Sequence, residues 1–251
     1  MHSCVDYDAA ISTFNEWISR RDRAHQVCIS NVHTTVMCRW DKELADIANK
    51  ADMVTMDGQP LRWYAYHVRG VKINDRVCGP DLMIQSIETG IDRGWRHYFL
   101  GGKTDVLSRL CESLKGRFPE LRIADSFSPP FRPLTEKENQ EITSMINTSH
   151  ADILWVGLGA PKQEKWIAHN LTRIHVPVQV GVGAAFDFHT GNIKRAPRYL
   201  QRSGLEWAYR IIQDPRLLPR YLKTNPVFIY MFLRDFIIAR TIKISGRQYT
   251  S

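Results

Sequence analysis

A chain of 251 residues, 43% of them apolar, can bury one large core and is too rich in aromatic residues to remain disordered. Its net charge of +8 is unevenly placed: from Lys194 onward there are 12 Lys and Arg against 3 Asp and Glu, while the preceding residues are close to neutral. Five widely spaced cysteines without a C-x-x-C pair argue against a zinc ribbon or a disulfide framework and favour a reducing compartment.

The first ten residues are polar and acidic, unlike a secretory leader. Residues 6–20 carry Ile11, Phe14, Trp17 and Ile18 on one stripe and predict an amphipathic helix. Residues 26–31 predict a strand, 34–38 and 44–51 two helices, 51–56 a second strand and 61–68 a helix. Asn31 and Asp57 therefore both follow strands, where open parallel sheets place their ligands. Asp57 precedes a glycine, so a turn or helix-cap role is the alternative for it. Arg76 is a candidate anion clamp or a solvated surface residue, and Asp81 is positioned to cap a helix over 82–90.

From His97 the pattern is a regular βαβ: strand 97–100, a glycine turn at 101–104 with a capping Thr104, helix 106–118 and strand 121–124. A Pro-rich loop, 128–133, precedes a capping-box signature at Thr135–Glu138 and a helix to Asn147. The run Ile153–Val156 predicts a buried strand. Gly157 and Gly159 then turn the chain, Pro161 sits at a helix start, and Lys162 and Gln163 enter the helix. Such a strand–turn–helix junction favours anions, because free N–H groups and the helix dipole converge there. A last strand over 178–183 leads to Asp187.

Beyond Pro197 two helices are expected, 200–213 and a Pro-bounded 214–223, followed by an apolar stretch 227–244 broken by Arg234, Asp235 and Arg240. Its longest clean apolar run is Val227–Leu233, whereas a bilayer crossing needs about 20 residues. A basic amphipathic segment suits the membrane interface, with packing on the chain itself or on another subunit as the alternative. The fold expected is α/β: a Rossmann-like, mostly parallel sheet flanked by helices (1–195), with a basic, amphipathic helical appendage (196–251).

Six strings stand in order along the chain: Asp57-Gly-x-Pro60, Arg76-Val-x-Gly-x-Asp81, Gly157-x-Gly-Ala-Pro-Lys-Gln-Glu164, Gly181-Val-Gly-Ala-Ala-Phe-Asp187, Arg195-Ala-Pro197 and Gly204-Leu-Glu-Trp207. Arg210, Pro215-Arg216 and Arg220-Tyr-Leu222 follow. Together they resemble the WecG/TagA/CpsF glycosyltransferases of bacterial envelope polymer synthesis, over about residues 5–235. The resemblance implies an inverting, metal- and cofactor-independent transfer from a UDP-sugar to a sugar on polyprenyl diphosphate. Donors of the N-acetylmannosamine, mannosaminuronic acid or glucose type are implied. The place implied is the cytoplasmic membrane face, with peripheral attachment to an anionic surface.

Carried onto this chain, Asp57 matches the general base, and Asn31, Arg76, Gly157, Gly159, Lys162, Gln163 and Asp187 match donor- or acceptor-binding positions. Arg210, Arg216 and Arg220 are expected at the lipid diphosphate. Ile29 stands where many members have a threonine, with Ser30 beside it. The apolar tail favours self-association. Two rivals remain at this point: a nucleic-acid-binding protein using the basic tail, which lacks a reading motif, and a Rossmann oxidoreductase, which lacks the G-x-G-x-x-G fingerprint.

Overall fold

The computed structural model describes residues 2–244, with side chains through 241, so residues 245–251 of the expected appendage lie outside the described residues. Six short strands form one sheet: β1 (His25–Ser30), β2 (Met53–Met56), β3 (Arg96–Gly101), β4 (Arg122–Phe127), β5 (Ile153–Gly157) and β6 (Val178–Gly181). Their order is β2-β1-β6-β5-β3-β4, and every neighbouring pair is parallel. Central strands buried on both faces read as continuous apolar runs, as Ile153-Leu-Trp-Val156 does. The chain leaves β3 outward to β4 and leaves β5 inward to β6. Neighbouring β3 and β5 thus send their connections opposite ways, which is a topological switch point.

Alternation along β5 assigns its side chains to two layers. Ile153 and Trp155 join Phe99, Phe14 and Phe186 beneath α1 (Tyr7–Arg20), α5 (Gly79–Ile91), α6 (Thr104–Arg117) and α9 (Ala185–His189). Leu154 and Val156 join Tyr98, Ile142, Ile146 and Ile167 beneath α7 (Glu136–Thr148) and α8 (Lys162–Asn170). A third cluster, Val36, Met56, Leu61, Ala65 and Phe228, unites α2 (Val32–Trp40) and α4 (Gln59–Arg69) with the last helix, α12 (Leu218–Ile244). Helix α3 (Lys42–Lys50) packs on α2 and α8. At about 1.5–3 kcal/mol for each fully buried large aliphatic or aromatic side chain, these clusters supply most of the drive to fold.

The capping box is present: Thr135 accepts from the Glu138 N–H, and Glu138 accepts from the Thr135 N–H at 2.9 Å. Four expectations need correction. Helix α5 begins at Gly79, so Asp81 lies inside its first turn and does not cap it. Thr104 opens α6 itself, and no side chain caps that helix. The expected helix 200–213 is two, α10 (Arg198–Arg202) and α11 (Glu206–Gln213), because Gly204 between them adopts φ +72°, which a continuing helix does not allow. The expected segments 214–223 and 227–244 are a 3₁₀ turn, Pro215–Leu217, and one helix, α12, that runs through Pro226. Proline normally ends a helix. Here Thr224 and Phe228, on either side of it, are buried, and α12 is held against α2 and α4. Among the described residues no helix is long and apolar enough to cross a membrane.

Candidate active site

Strands β1 and β2 end side by side, with Ser30 opposite Met56, and the Asp57 N–H donates to the Ser30 carbonyl at 2.7 Å. Asn31 and Asp57 are thereby neighbours on the wall of a cavity of about 560 Å³, which Arg76, Arg195, Arg210 and Arg220 also line. The roof of this cavity comes from α10, α11 and α12. Asn31 caps α2: its Oδ1 accepts from the Thr34 N–H at 3.1 Å, which leaves the amide nitrogen as a donor. Asp57 caps nothing, since α4 starts after Gly58 without a side-chain cap. Burial pushes the Asp57 carboxyl up to about 6, opposed by the charge of Arg76 and reinforced by that of Glu206.

The arginines around Asp57 are held in different ways. Arg76 is 8% exposed and gives its two terminal nitrogens to the appendage, Nη1 to Glu206 at 2.7 Å and Nη2 to Gln201. Arg195 forms a two-pronged pair with Asp81, with Nη2 to Oδ2 at 2.9 Å. The buried Nε atoms of Arg195, Arg210 and Arg220 have no hydrogen-bond partner among the described residues. Arg210 stacks over Phe188 at 5.5 Å. Burial, and then the charge of Arg210, lower the affinity of Arg220 for its proton. His33, on the same wall, is pushed down to about 4 by burial and by Arg220. Desolvated guanidinium groups with unused donors make a cavity suited to a phosphate or diphosphate.

A second cleft, about 1060 Å³, opens at the switch point beyond β3 and β5. Gly157, Gly159, Lys162 and Asp187 line it, opposite the Pro-rich loop 129–133. Lys162 lies 5.5 Å from the Phe131 ring in a cation–π contact, and Asp187 accepts from Asn192 at 3.1 Å. A side chain at Gly157 would meet the Phe186 ring at 2.7 Å, so only glycine admits this packing. The structure thus divides the expected site residues between two cavities. Helix α9 is their shared wall: Asp187 lines the second and Phe188 the first.

Two expected ligand contacts are placed elsewhere. Gln163 is 2% exposed and lines neither cavity. Its Oε1 accepts from the N–H groups of Gly159 at 3.1 Å and Gly183 at 3.0 Å, and its Nε2 donates to Glu164 at 2.9 Å. It ties two glycine turns together, with its acceptor oxygen filled by two N–H groups and its side chain lining neither cavity. Arg216 is exposed, pairs with Asp214 and lines neither cavity. Ile29 is buried in the core, and the Ser30 hydroxyl bonds His2 and Thr35, so neither side chain faces the cavity.

Sequence reasoning missed Glu206, Gln201, His33 and Cys78, which line the first cavity. Glu206 stands in the string Gly204-Leu-Glu-Trp207. Its role needed the fold, because its partner Arg76 is 130 positions away.

Residues 2–241 match the model of the WecG/TagA/CpsF glycosyl transferase family. Among similar proteins, one from Bacillus spizizenii is 30% identical over 176 residues, covering 70% of this chain and 66% of its own length. One from Bacillus subtilis strain 168 is 27% identical over 235 residues, covering 89% of both chains. One from Staphylococcus aureus is 25% identical over 185 residues, covering 74% of this chain and 70% of its own. Each of the three is named N-acetylglucosaminyldiphosphoundecaprenol N-acetyl-beta-D-mannosaminyltransferase.

Proposed function

Because the chain belongs to the WecG/TagA/CpsF family and is a glycosyltransferase, we propose that it moves a sugar from a UDP-sugar to a sugar on polyprenyl diphosphate, with inversion and without a metal. The relatives' names make an N-acetylmannosaminyl donor and an N-acetylglucosaminyl-diphosphoundecaprenol acceptor the first pair to test. The observation that carries this reading is the first cavity: one carboxylate with a raised proton affinity, Asp57, among desolvated arginines.

Transfer is a single displacement. The acceptor hydroxyl attacks the anomeric carbon, the bond from that carbon to the UDP oxygen breaks, and the electron pair leaves on UDP. The hydroxyl proton passes to Asp57 as the new bond forms, for which a group near neutrality is well matched. Donors already aimed at the developing diphosphate charge stabilise it without reorganisation. Arg210 and Arg220 are the candidates at the first cavity, where the acceptor diphosphate also binds. The second cleft takes the donor nucleotide, since ligands of open parallel sheets bind at switch points and Lys162 adds a cation there. The shared α9 wall supports transfer between the two.

The appendage covers the site through its described helices, within residues 196–244, and docks at the cytoplasmic membrane surface. Supporting this, Ile212, Tyr230 and Ile237 are more than 60% exposed, and Arg198 and Lys223 adjoin the exposed Tyr199 and Leu222 in the chain. Basic residues beside an anionic leaflet contribute about 1 kcal/mol each. Incubating the enzyme with radiolabelled UDP-sugars and a synthetic lipid-diphosphate sugar tests the proposal. Label should pass into the organic-extractable lipid. Failure with every donor, on a folded enzyme and with the named acceptor, overturns it.

A further inference from the structure

The base site holds a contradiction that one residue resolves. A carboxylate beside an arginine normally forms an ion pair, and a paired carboxylate is a weak base because its proton affinity falls. Asp57 lies in the field of Arg76, Arg195 and Arg210, yet none of the described residues forms an ion pair with it. Each of the two arginines from the core is engaged by another acid. Asp81 takes Arg195 through both terminal nitrogens. Glu206 takes Arg76, and Gln201 accepts from the other terminal nitrogen of the same guanidinium.

Resting on the reading of Asp57 as the base, we infer that Glu206 is a positioning residue: it holds Arg76 off the Asp57 carboxylate while tying α11 across the cavity. The two effects are one contact, since Arg76 precedes α5 in the core and Glu206 opens α11 in the roof. The site is therefore competent when the roof is down, because closure is what occupies Arg76. The raised Asp57 carboxyl agrees with this, as the nearby Glu206 charge works in the same direction as burial. The other groups facing Asp57 are accounted for. Arg195 and Cys78 come from the core, and Arg195 is held by Asp81. Arg210 on α11 and Arg220 on α12 act by charge alone, and His33 on α2 is neutral above about 4.

The test compares the full-length wild type with Glu206→Gln and Glu206→Asp by carbon-detected titration of the Asp57 carboxyl and by the pH profile of kcat/KM. In Glu206→Gln the Asp57 titration and the acidic limb of the profile should both move down by about one pH unit. The accompanying loss should fall on kcat rather than KM, since a transition-state role is weakened. Glu206→Asp should restore most of both, and melting curves confirm that the variants fold. An unmoved titration in Glu206→Gln, or an equal shift in Glu206→Asp, overturns the inference while leaving the base intact. Full activity in Asp57→Asn overturns the underlying reading instead, and the role assigned to Glu206 with it.

Discussion

The cavity beyond β1 and β2 is roofed by helices from residues 198–244, whereas the cleft beyond β3 and β5 is closed by the core's own loop 129–133. The first gathers a carboxylate and arginines from five separate stretches of chain: Asp57, Arg76, Arg195, Arg210 and Arg220. The second is shaped by glycine turns that Gln163 staples together. One site is thus assembled by long-range charge pairing and depends on the appendage. The other is preorganised within the sheet and does not need it. This contrast is why we propose the chemistry for the first cavity and nucleotide recognition for the second.

Substitutions should separate the two regions. Apart from loss of the base itself, the largest effect is expected from Arg210→Ala or Arg220→Ala, which remove charge from the covered cavity. Turnover should fall about 10²–10³-fold, with donor binding measured by calorimetry little changed. Equal losses in turnover and in donor binding would merge the two sites into one. Next, Gln163→Leu leaves the N–H groups of Gly159 and Gly183 without their acceptor, at about 1–3 kcal/mol for each unsatisfied group. A lower melting temperature and a raised donor KM should follow. An unchanged melting curve would show that the staple carries no stability. The smallest effect on chemistry is expected from the combined Ile212→Ser, Tyr230→Ser and Ile237→Ser variant, whose positions are exposed and line neither cavity. Liposome sedimentation should drop about 10-fold or more, since each apolar side chain withdrawn from the interface forfeits about 1.5–3 kcal/mol. Turnover of detergent-dispersed acceptor should persist; retained sedimentation would remove the membrane from the account.

These regions also differ in how far the sequence could be read. In the core, periodicity and turn chemistry placed all six strands, the capping box at Thr135 and the neighbouring of Asn31 with Asp57. Strand order was beyond reach, because no local pattern states that β5 and β6 return between β3 and β1. The appendage was read less well. Gly204 breaks a helix that apolar spacing alone makes continuous, and Pro226 fails to break one that tertiary packing holds together. At the site, the pattern identified Asp57 as a carboxylate following a strand and Arg76 as a candidate anion clamp. It did not reveal that Arg76 is committed to Glu206, or that Gln163 turns inward. Motif strings mark positions that matter, without distinguishing a ligand contact from a brace.

The central claim is that Asp57 accepts the proton. Burial raises its carboxyl to about 6, so the base is consumed as pH falls below that value and kcat/KM should rise with pH through it. The same shift means that ionising Asp57 opposes folding at neutral pH, so Asp57→Asn should melt no lower than the wild type at pH 7.5. Single-turnover transfer by Asp57→Asn, measured beside that melting curve, is the most direct test. The account predicts a rate about 10²–10⁴-fold below the wild type in a protein at least as stable. Wild-type transfer by a fully folded Asp57→Asn would contradict it.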